Sequence, residues 1–313
     1  MIDYKSIISR LKFDVEKTLR EDLERGQFIL VGSYNGTKSI LKITSISNPV
    51  KAKNLEKEYI VTSAIFDNTV FGRTLFFDKN ENYVCYVREY IQGHPLSAYN
   101  QDSSVVLYRY DILDKKVCVD KEKIINGITH SLDIIHEETY RKALMLSPRD
   151  YFGQRWNMDI KQYNVSSIEK GLKHSLKDQV DFYYKNFNSY KENYSCCVGD
   201  LNPANILFDG KDVRLVDLEW FSIDNSMLDI SFLWLFLWRY PDWQELLLRN
   251  VASEREKDDF RASVIRQIIA WFDVVFDPDK KVTKDNIEEY KAHIWARYVK
   301  AAGESFEALT NTK

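Results

Sequence analysis

The sequence predicts an α+β fold of two lobes, in which a small antiparallel-sheet lobe precedes a larger, mainly helical lobe. Three observations support this prediction. Strand patterns rich in β-branched and aromatic residues concentrate before residue 92, and apolar residues at helical spacing dominate after it. A chain of 313 residues is also long enough to build two lobes around a large core.

The composition is that of an ordinary globular protein and argues against several classes of function. Apolar residues make up 44% of the chain and charged residues 29%, and no apolar run reaches the ~20 residues that a membrane-spanning helix requires. The net charge of −3 argues against nucleic-acid and anionic-membrane partners. Four cysteines without zinc-ligand spacing, and no basic-then-apolar segment at the start, predict a cytoplasmic protein.

The first lobe is predicted from strand patterns that enclose one helix. The dipeptide Asn35-Gly36 between two apolar runs is a strong hairpin signal, because both residues tolerate the positive φ angles of a tight turn. Gly93 and Pro95 end the last strand of this lobe. The predicted elements are a charged helix over 14–25, strands over 28–34 and 38–43, a helix over 54–66 and a strand over 83–91.

The second lobe is predicted to be mainly helical. Apolar residues recur at helical spacing in two long segments, 120–138 and 166–190. The most apolar stretch, 232–238, is too short to span a bilayer and indicates a core helix. The later helices are predicted around 226–240, 242–251, 254–276 and 284–309.

One polar constellation interrupts the helical lobe and carries the strongest functional signal. Asp200 and Asn205 are five residues apart, and Asp217 follows twelve residues later. Two short apolar runs with an Asp-Gly turn signal between them predict a β-hairpin after Asn205. That hairpin is expected to place Asn205 and Asp217 at neighbouring strand ends, on the same side.

This spacing is how kinases gather one base and two metal ligands. Asp200 is expected to accept the proton of a substrate hydroxyl. Asn205 and Asp217 are expected to hold Mg²⁺, which takes few hard oxygen ligands from protein and retains waters and phosphates as the others. A surface hairpin that carries Asp and Asn by chance is the alternative, and the combined spacing, the turn and Glu219 disfavour it.

At these residues the chain resembles the aminoglycoside phosphotransferase and choline kinase superfamily, a branch of the protein-kinase-like fold. Members typically show H-G-D-L-H-x-x-N-I-L, then (I/V)-D-x-E and a later D-(L/I)-(A/S). This chain reads V-G-D-L-N-P-A-N-I-L over 198–207, V-D-L-E over 216–219 and D-I-S over 229–231. Val198 and Asn202 stand where two histidines are common, and neither position is the base or a metal ligand.

The resemblance implies a two-lobed protein-kinase-like fold, with 1–91 as the nucleotide-binding lobe and 92–313 as the catalytic and substrate-binding lobe. It implies transfer of the γ-phosphate of ATP, with GTP as the alternative donor and Mg²⁺ as cofactor, to a hydroxyl of a small molecule. A protein kinase is disfavoured, because only a few residues separate Asp217 from the next apolar run and no A-P-E motif follows.

Four further residues are implied to bind the nucleotide. In kinases a lysine late in a strand pairs with the ATP phosphates and with a helix glutamate; Lys42 fits that place, with Glu58 as the predicted partner and Glu56 as the alternative. Glu89 and Ile91 are implied to bind adenine, through the carbonyl of the first and the amide of the second. Without the family resemblance, Lys42 also fits a solvated position on a strand. The segment 89–91 then fits a plain edge strand that leads to a turn.

The sequence leaves the phosphate-covering loop and the acceptor open. The segment 32–36, with its two glycines, fits phosphate-binding backbone or, more simply, an ordinary hairpin turn. Acidic residues on late helices fit a polycationic acceptor or solvated helix faces. Tryptophans fit a choline-like cation or core packing, and a neutral sugar or nucleoside stays open. The candidates are Glu254, Glu256, Asp258, Asp259, Glu288, Glu289, Glu304 and Glu307, and Trp220, Trp234, Trp238, Trp243, Trp271 and Trp295.

Two classes without catalysis complete the alternatives. A catalytically silent member that only binds nucleotide is favoured by Val198 and the poor phosphate loop, and disfavoured by the intact Asp200, Asn205 and Asp217. A purely structural protein gives no reason for the metal-ligand spacing.

Overall fold

The computed structural model describes residues 3–64, 70–98, 110–136, 145, 152–153, 158–276 and 298–310. A five-stranded antiparallel sheet forms early in the chain, and helices with two small sheets form the rest of the described part. The predicted α+β fold is therefore confirmed. No helix in the described part is both long and apolar enough to cross a lipid bilayer.

The early sheet is antiparallel in every pairing, and two helices accompany it. Its elements are α1 (Tyr4–Leu11), β1 (Asp14–Asp22), β2 (Gln27–Tyr34), β3 (Thr37–Ser45), α2 (Pro49–Ala64), β4 (Thr74–Lys79) and β5 (Tyr83–Glu89). The strands lie in the order β1-β2-β3-β5-β4. The hairpin predicted at Asn35-Gly36 is confirmed as the turn between β2 and β3.

The prediction of a helix over 14–25 is wrong, because these residues form the edge strand β1 and the turn after it. Nearly every residue of β1 is exposed, so the strand shows no alternation of apolar and polar residues. Pairing with β2, which ends with Asp22 opposite Gln27, defines the strand. Gly32 permits this pairing, since a Cβ there would lie 2.0 Å from the carbonyl oxygen of Asp14.

The helix α2 begins at Pro49, earlier than the predicted residue 54. Asn48 explains the earlier start, because its side-chain oxygen accepts a hydrogen bond from the Lys51 amide at 3.3 Å. Proline suits the first turn of a helix, where its missing N–H has no partner to lose. The apolar face of α2 packs on β5, so one side of the helix covers the sheet and the other faces the rest of the chain.

Helices dominate the rest of the described chain and are interrupted by short strands. The elements are β6 (His94–Pro95), α3 (Lys121–Ile134), α4 (Val165–Leu172), α5 (Lys177–Glu192), β7 (Tyr194–Cys197), β8 (Ile206–Phe208), β9 (Val213–Leu215), β10 (Ser222–Asn225), α6 (Leu228–Phe236), α7 (Pro241–Leu248), α8 (Glu254–Phe276), α9 (Lys300–Glu304) and α10 (Phe306–Thr310). Short 3₁₀ turns lie at Ile160–Gln162, Pro203–Asn205 and Leu218–Trp220. The predicted hairpin after Asn205 is present as β8 and β9.

The prediction of a single helix over 166–190 is wrong, because two helices, α4 and α5, occupy this segment. Lys173 ends α4 in the left-handed region, with φ of 59°. Glu169 then accepts a hydrogen bond from the Leu176 amide at 2.6 Å, which stabilises the break before α5. Of the helix predicted over 284–309, only the end lies among the described residues.

The core helix predicted around 232–238 is confirmed as α6, in which every side chain is buried. It packs against the long helix α8, where the rings of Phe232 and Trp271 are 5.5 Å apart. A fully buried ion pair joins α8 to β10: Arg266 contacts both carboxylate oxygens of Asp224, at 2.5 and 2.7 Å. Since β10 pairs with β7, this ion pair supports the strand that leads to Asp200.

Replacing Arg266 by Met is expected to lower the free energy of unfolding by about 3–5 kcal/mol, because it leaves the Asp224 carboxylate buried without its cation. Lys257 on the same helix pairs with Glu254 at the surface, so Lys257→Met is the control and should change stability little. Denaturant unfolding of the two variants measures the difference. Equal losses would show that Arg266 and Asp224 contribute no more than a surface pair.

Candidate active site

Asp200 lies in the loop between β7 and the turn Pro203–Asn205 that precedes β8. Two side chains hold its backbone carbonyl: Asn205 Nδ2 donates to it at 2.9 Å and Asn202 Nδ2 at 3.3 Å. This contact uses the amide nitrogen of Asn205 and leaves the acceptor capacity of its carboxamide oxygen unused. Asp200 and Asn205, five residues apart in the sequence, are thus in direct contact.

Asp229 braces the start of this loop. Its carboxylate accepts hydrogen bonds from the amides of Val198 at 2.7 Å and Gly199 at 2.9 Å, and the residue is fully buried. Gly199 has φ of +76°, and a Cβ there would lie 2.1 Å from the carbonyl oxygen of Trp220. Glycine is therefore required immediately before Asp200, and the loop is fixed against the segment that follows Asp217.

Asp217 follows β9, so the hairpin places it next to Asn205, as expected. The amide of Val216 donates to the carbonyl of Asn205 at 2.9 Å. Asp217 takes a left-handed conformation, with φ and ψ both 64°, which aspartate tolerates better than most residues. Burial alone would raise the pKa of Asp217, and the ammonium of Lys42 outweighs burial and lowers it. The carboxylate is therefore ionised at neutral pH.

Lys42 is buried between two carboxylates. Its Nζ lies 2.7 Å from Glu58 Oε2 and 2.9 Å from Asp217 Oδ1. Burial would lower the pKa of Lys42, and the charges of Asp217 and Glu58 outweigh it and raise the pKa. Of the two glutamates that the sequence left open, Glu58 makes the ion pair, while Glu56 pairs with Lys79 at 2.8 Å.

The same helix α2 makes two contacts that the sequence analysis missed. Lys51 Nζ lies 2.6 Å from Glu219 Oε1, and Lys57 Nζ donates to the carbonyl of Phe221 at 3.2 Å. Burial lowers the pKa of Lys57 to about 8, and the nearby charge of Lys53 adds to the effect. Both contacts join residues more than 160 positions apart, and no short-range pattern in the sequence signals them.

The segment implied to bind the base is partly engaged by the protein itself. The Glu89 amide donates to the carbonyl of Arg73 at 2.9 Å, and the Glu89 carbonyl accepts from Arg88 Nη1 at 3.3 Å. Ile91 lines a small cleft together with Arg88 and Asp217. A carbonyl oxygen can accept two hydrogen bonds, so the Glu89 carbonyl keeps one acceptor position beside the contact from Arg88.

A cavity brings Lys42, Glu58 and Asp217 together, while Asp200, Asn205, Glu89 and Ile91 do not line it. It is bounded by the β-strands 27–29 and 42–44, by α2 and by the segment after β9, and none of residues 32–36 lines it. The turn that adjoins the cavity is instead the one between β1 and β2. The segment 32–36 is thus an ordinary hairpin turn, the simpler of its two interpretations. The charged lining residues are Arg20, Lys42, Lys51, Glu58, Asp217 and Glu219.

Several residues that the sequence offered as contacts for the acceptor substrate have a structural role in the fold. Trp234, Trp238, Trp243 and Trp271 are buried in the main core. Three of the acids pair with cations on their own helix, and Asp259 is buried. These pairs are Glu254 with Lys257, Asp258 with Arg261, and Glu304 with Lys300. Trp295, Glu288 and Glu289 lie outside the described residues.

Comparison with known proteins shows similarity of structure without similarity of sequence. No family model and no curated protein matches the sequence. The solved structure of aminoglycoside phosphotransferase APH(4)-Ia matches with a TM-score of 0.58 and 12% identity, covering 99% of this chain and 97% of that one. A choline kinase from Streptococcus pneumoniae matches with a TM-score of 0.57 and 16% identity, covering 93% and 96%.

A third match is a spectinomycin phosphotransferase in complex with ADP and spectinomycin, with a TM-score of 0.55, 11% identity and coverage of 97% and 98%. These matches extend over nearly the whole of each chain. They confirm the predicted protein-kinase-like fold and the resemblance to the aminoglycoside phosphotransferase and choline kinase superfamily at the level of the fold.

Substituting Gly199 with Ala is expected to lower the free energy of unfolding by about 3 kcal/mol or more, from backbone strain plus overlap with the Trp220 carbonyl. Gly36 is a matched control, because its φ of +77° is nearly the same and a Cβ there would meet nothing within 4 Å. Gly36→Ala should therefore show the strain alone, about 1–2 kcal/mol. Chemical denaturation of both variants separates the two effects, and equal losses would contradict the close contact at Gly199.

Proposed function

We propose that the protein is an ATP- and Mg²⁺-dependent phosphotransferase that moves the γ-phosphate to a hydroxyl of a small molecule. The observation that carries this proposal is the meeting of Lys42, Glu58 and Asp217 within 2.9 Å in one cavity, beside the loop that holds Asp200. This is the set of groups that phosphoryl transfer requires for positioning and charge stabilisation. The whole-chain similarity to phosphotransferases and a choline kinase supports it.

Asp200 is the proposed base. Its backbone is fixed by Asn202, Asn205 and the braced segment before it, so its carboxylate has a defined position from which to accept the proton of an acceptor hydroxyl. Lys42 is the proposed contact for the α- and β-phosphates, with Glu58 orienting its ammonium.

Asn205 and Asp217 fit a magnesium ion. The pKa of Asp217 is lowered, and the contact with the loop uses only the Nδ2 of Asn205. A hard carboxylate and a hard carboxamide oxygen can thus be offered from neighbouring strand ends. A bound Mg²⁺ would neutralise charge on the β- and γ-phosphates. The part of Asn205 and Asp217 is to hold the two protein ligand oxygens in place for that ion.

The nucleotide is proposed to lie between the two lobes predicted from the sequence, 1–91 and 92–313. Glu89 and Ile91 are proposed to bind the base, with the second lone pair of the Glu89 carbonyl as the acceptor beside Arg88. ATP is the proposed donor, with GTP as the alternative.

An aminoglycoside-like acceptor is proposed first, since structures of aminoglycoside phosphotransferases recur among the matches. A choline-type acceptor is the second candidate, favoured by the choline kinase match. Burial of four of the six tryptophan candidates in the core weighs against an aromatic box built from them. A screen of hydroxylated small molecules for ATP-dependent mass gain tests the proposal. If no acceptor gains phosphate although ATP binds, a silent nucleotide-binding protein is the better description.

Replacing Asp200 by Ala is expected to lower phosphoryl transfer by about 10²–10⁴-fold, the range for loss of a positioned acid–base group. Nucleotide binding should survive, because Asp200 is proposed to contact the acceptor alone. Turnover with the acceptor from the screen and ATP affinity are measured in parallel. Near wild-type turnover would remove Asp200 from the mechanism.

Replacing Asp217 by Ala is expected to abolish the extra thermal stabilisation that Mg²⁺ adds to ATP, because the variant lacks the charged metal ligand. Asn205→Ala should weaken that effect less, since it removes no charge. ATP with a chelator is the control: it should stabilise Asp217→Ala at least as well as wild type, because Lys42 loses a competing carboxylate. An undiminished Mg²⁺ effect in Asp217→Ala would show that Asp217 is not a metal ligand.

A further inference from the structure

The turn next to the nucleotide cavity is poorly suited to bind phosphates. In other kinases a glycine-rich loop covers the phosphates and offers them backbone amides. Here the turn between β1 and β2 contains the acidic Asp22 and Glu24, and Asp22 Oδ1 accepts a hydrogen bond from the Arg25 amide at 2.9 Å. Arg25, the cation of this turn, is itself paired with Asp22 at 3.8 Å, so the turn offers the phosphates little positive charge.

Lys51 supplies such a cation on the opposite wall. It lies in the first turn of α2, where the cap from Asn48 fixes its backbone, and it lines the same cavity as Lys42 and Asp217. Its side chain is only 21% exposed, and its Nζ is anchored 2.6 Å from Glu219 Oε1. A half-buried lysine held at a cavity wall has already lost much of the conformational entropy that phosphate binding would otherwise remove.

The arrangement of Lys51 parallels that of Lys42. Each ammonium is held by a carboxylate of the segment after β9, Lys42 by Asp217 at 2.9 Å and Lys51 by Glu219 at 2.6 Å. An ammonium has three N–H donors, so Lys51 can keep its contact with Glu219 and still bind phosphate oxygens. The two lysines therefore present positive charge to the cavity from β3 and from α2.

We propose that Lys51 is a second phosphate-binding lysine, which contacts the terminal phosphates of the donor nucleotide together with Lys42 and takes the part that the amides of a glycine-rich loop play elsewhere. This inference rests on the proposed function, because it assumes that the cavity binds a nucleotide. It adds a residue of this chain, on α2, to the phosphate site.

The test is the dependence of affinity on the number of phosphates. Lys51→Met should lower the affinity for ADP and ATP by about ten- to a hundredfold, the range for a lost hydrogen bond to a charged group, and leave the affinity for AMP nearly unchanged. Lys53→Met is the matched control, because Lys53 is exposed on the same helix and does not line the cavity. It should change none of the affinities, and Lys51→Arg should recover most of the loss.

A double variant separates phosphate binding from mere neutralisation of Glu219. If Lys51 only neutralises that carboxylate, Lys51→Met/Glu219→Gln should bring the ratio of ADP to AMP affinity back to wild type, and the proposal would be wrong. If Lys51 binds phosphate, the ratio should stay low. All titrations use the full chain with Mg²⁺ present, by calorimetry.

Failure of this inference and failure of the proposed function give different results. A wild-type protein that binds neither ADP, ATP nor their guanine counterparts contradicts the proposed function itself. A wild type that prefers ADP to AMP, together with a Lys51→Met variant that keeps the same preference, contradicts only the role of Lys51.

Discussion

A buried lysine paired with two carboxylates is the interaction on which the rest of the site depends. Lys42 Nζ contacts Glu58 on α2 and Asp217 after β9, which are 16 and 175 residues away in the sequence. Removing one member of a buried ion pair leaves an unpaired charge, which is far more destabilising than replacing the pair by apolar groups. The relative positions of β3, α2 and the segment after β9 are therefore coupled, and the cavity between them keeps one geometry.

The helix α2 makes this coupling strong. Besides Glu58, it carries Lys51, paired with Glu219, and Lys57, bonded to the Phe221 carbonyl. These contacts hold the short segment that contains Asp217, whose left-handed backbone conformation is unfavourable for most residues. A strained residue persists only where its surroundings fix it, and here the fixing groups come from α2, more than 150 residues earlier in the chain. The groups proposed to bind the metal and the phosphates are consequently attached to the same helix.

Contacts between residues close in the sequence could be predicted, and contacts between distant residues could not. Asp200, Asn205 and Asp217 are joined by a hairpin whose apolar runs and turn are visible in the sequence, so their proximity was predicted correctly. Lys51 and Glu219 meet only through tertiary packing, and no local pattern reports such a pair. The strand over 14–22 was missed because it is exposed on both faces, so its pairing with β2, and not its own periodicity, determines its structure.

The charges that line the cavity favour the proposed binding of the donor as a metal-bound nucleotide. Arg20, Lys42 and Lys51 line the cavity together with Glu58, Asp217 and Glu219, so three cations balance three carboxylates. A free triphosphate would add several negative charges to a balanced site of low dielectric, where uncompensated charge is costly. A divalent cation bound with the phosphates would cancel two of those charges, with Asp217 as its proposed ligand. The turn beside the cavity contributes acidic residues, so the positive charge proposed to contact the phosphates would come from Lys42 and Lys51.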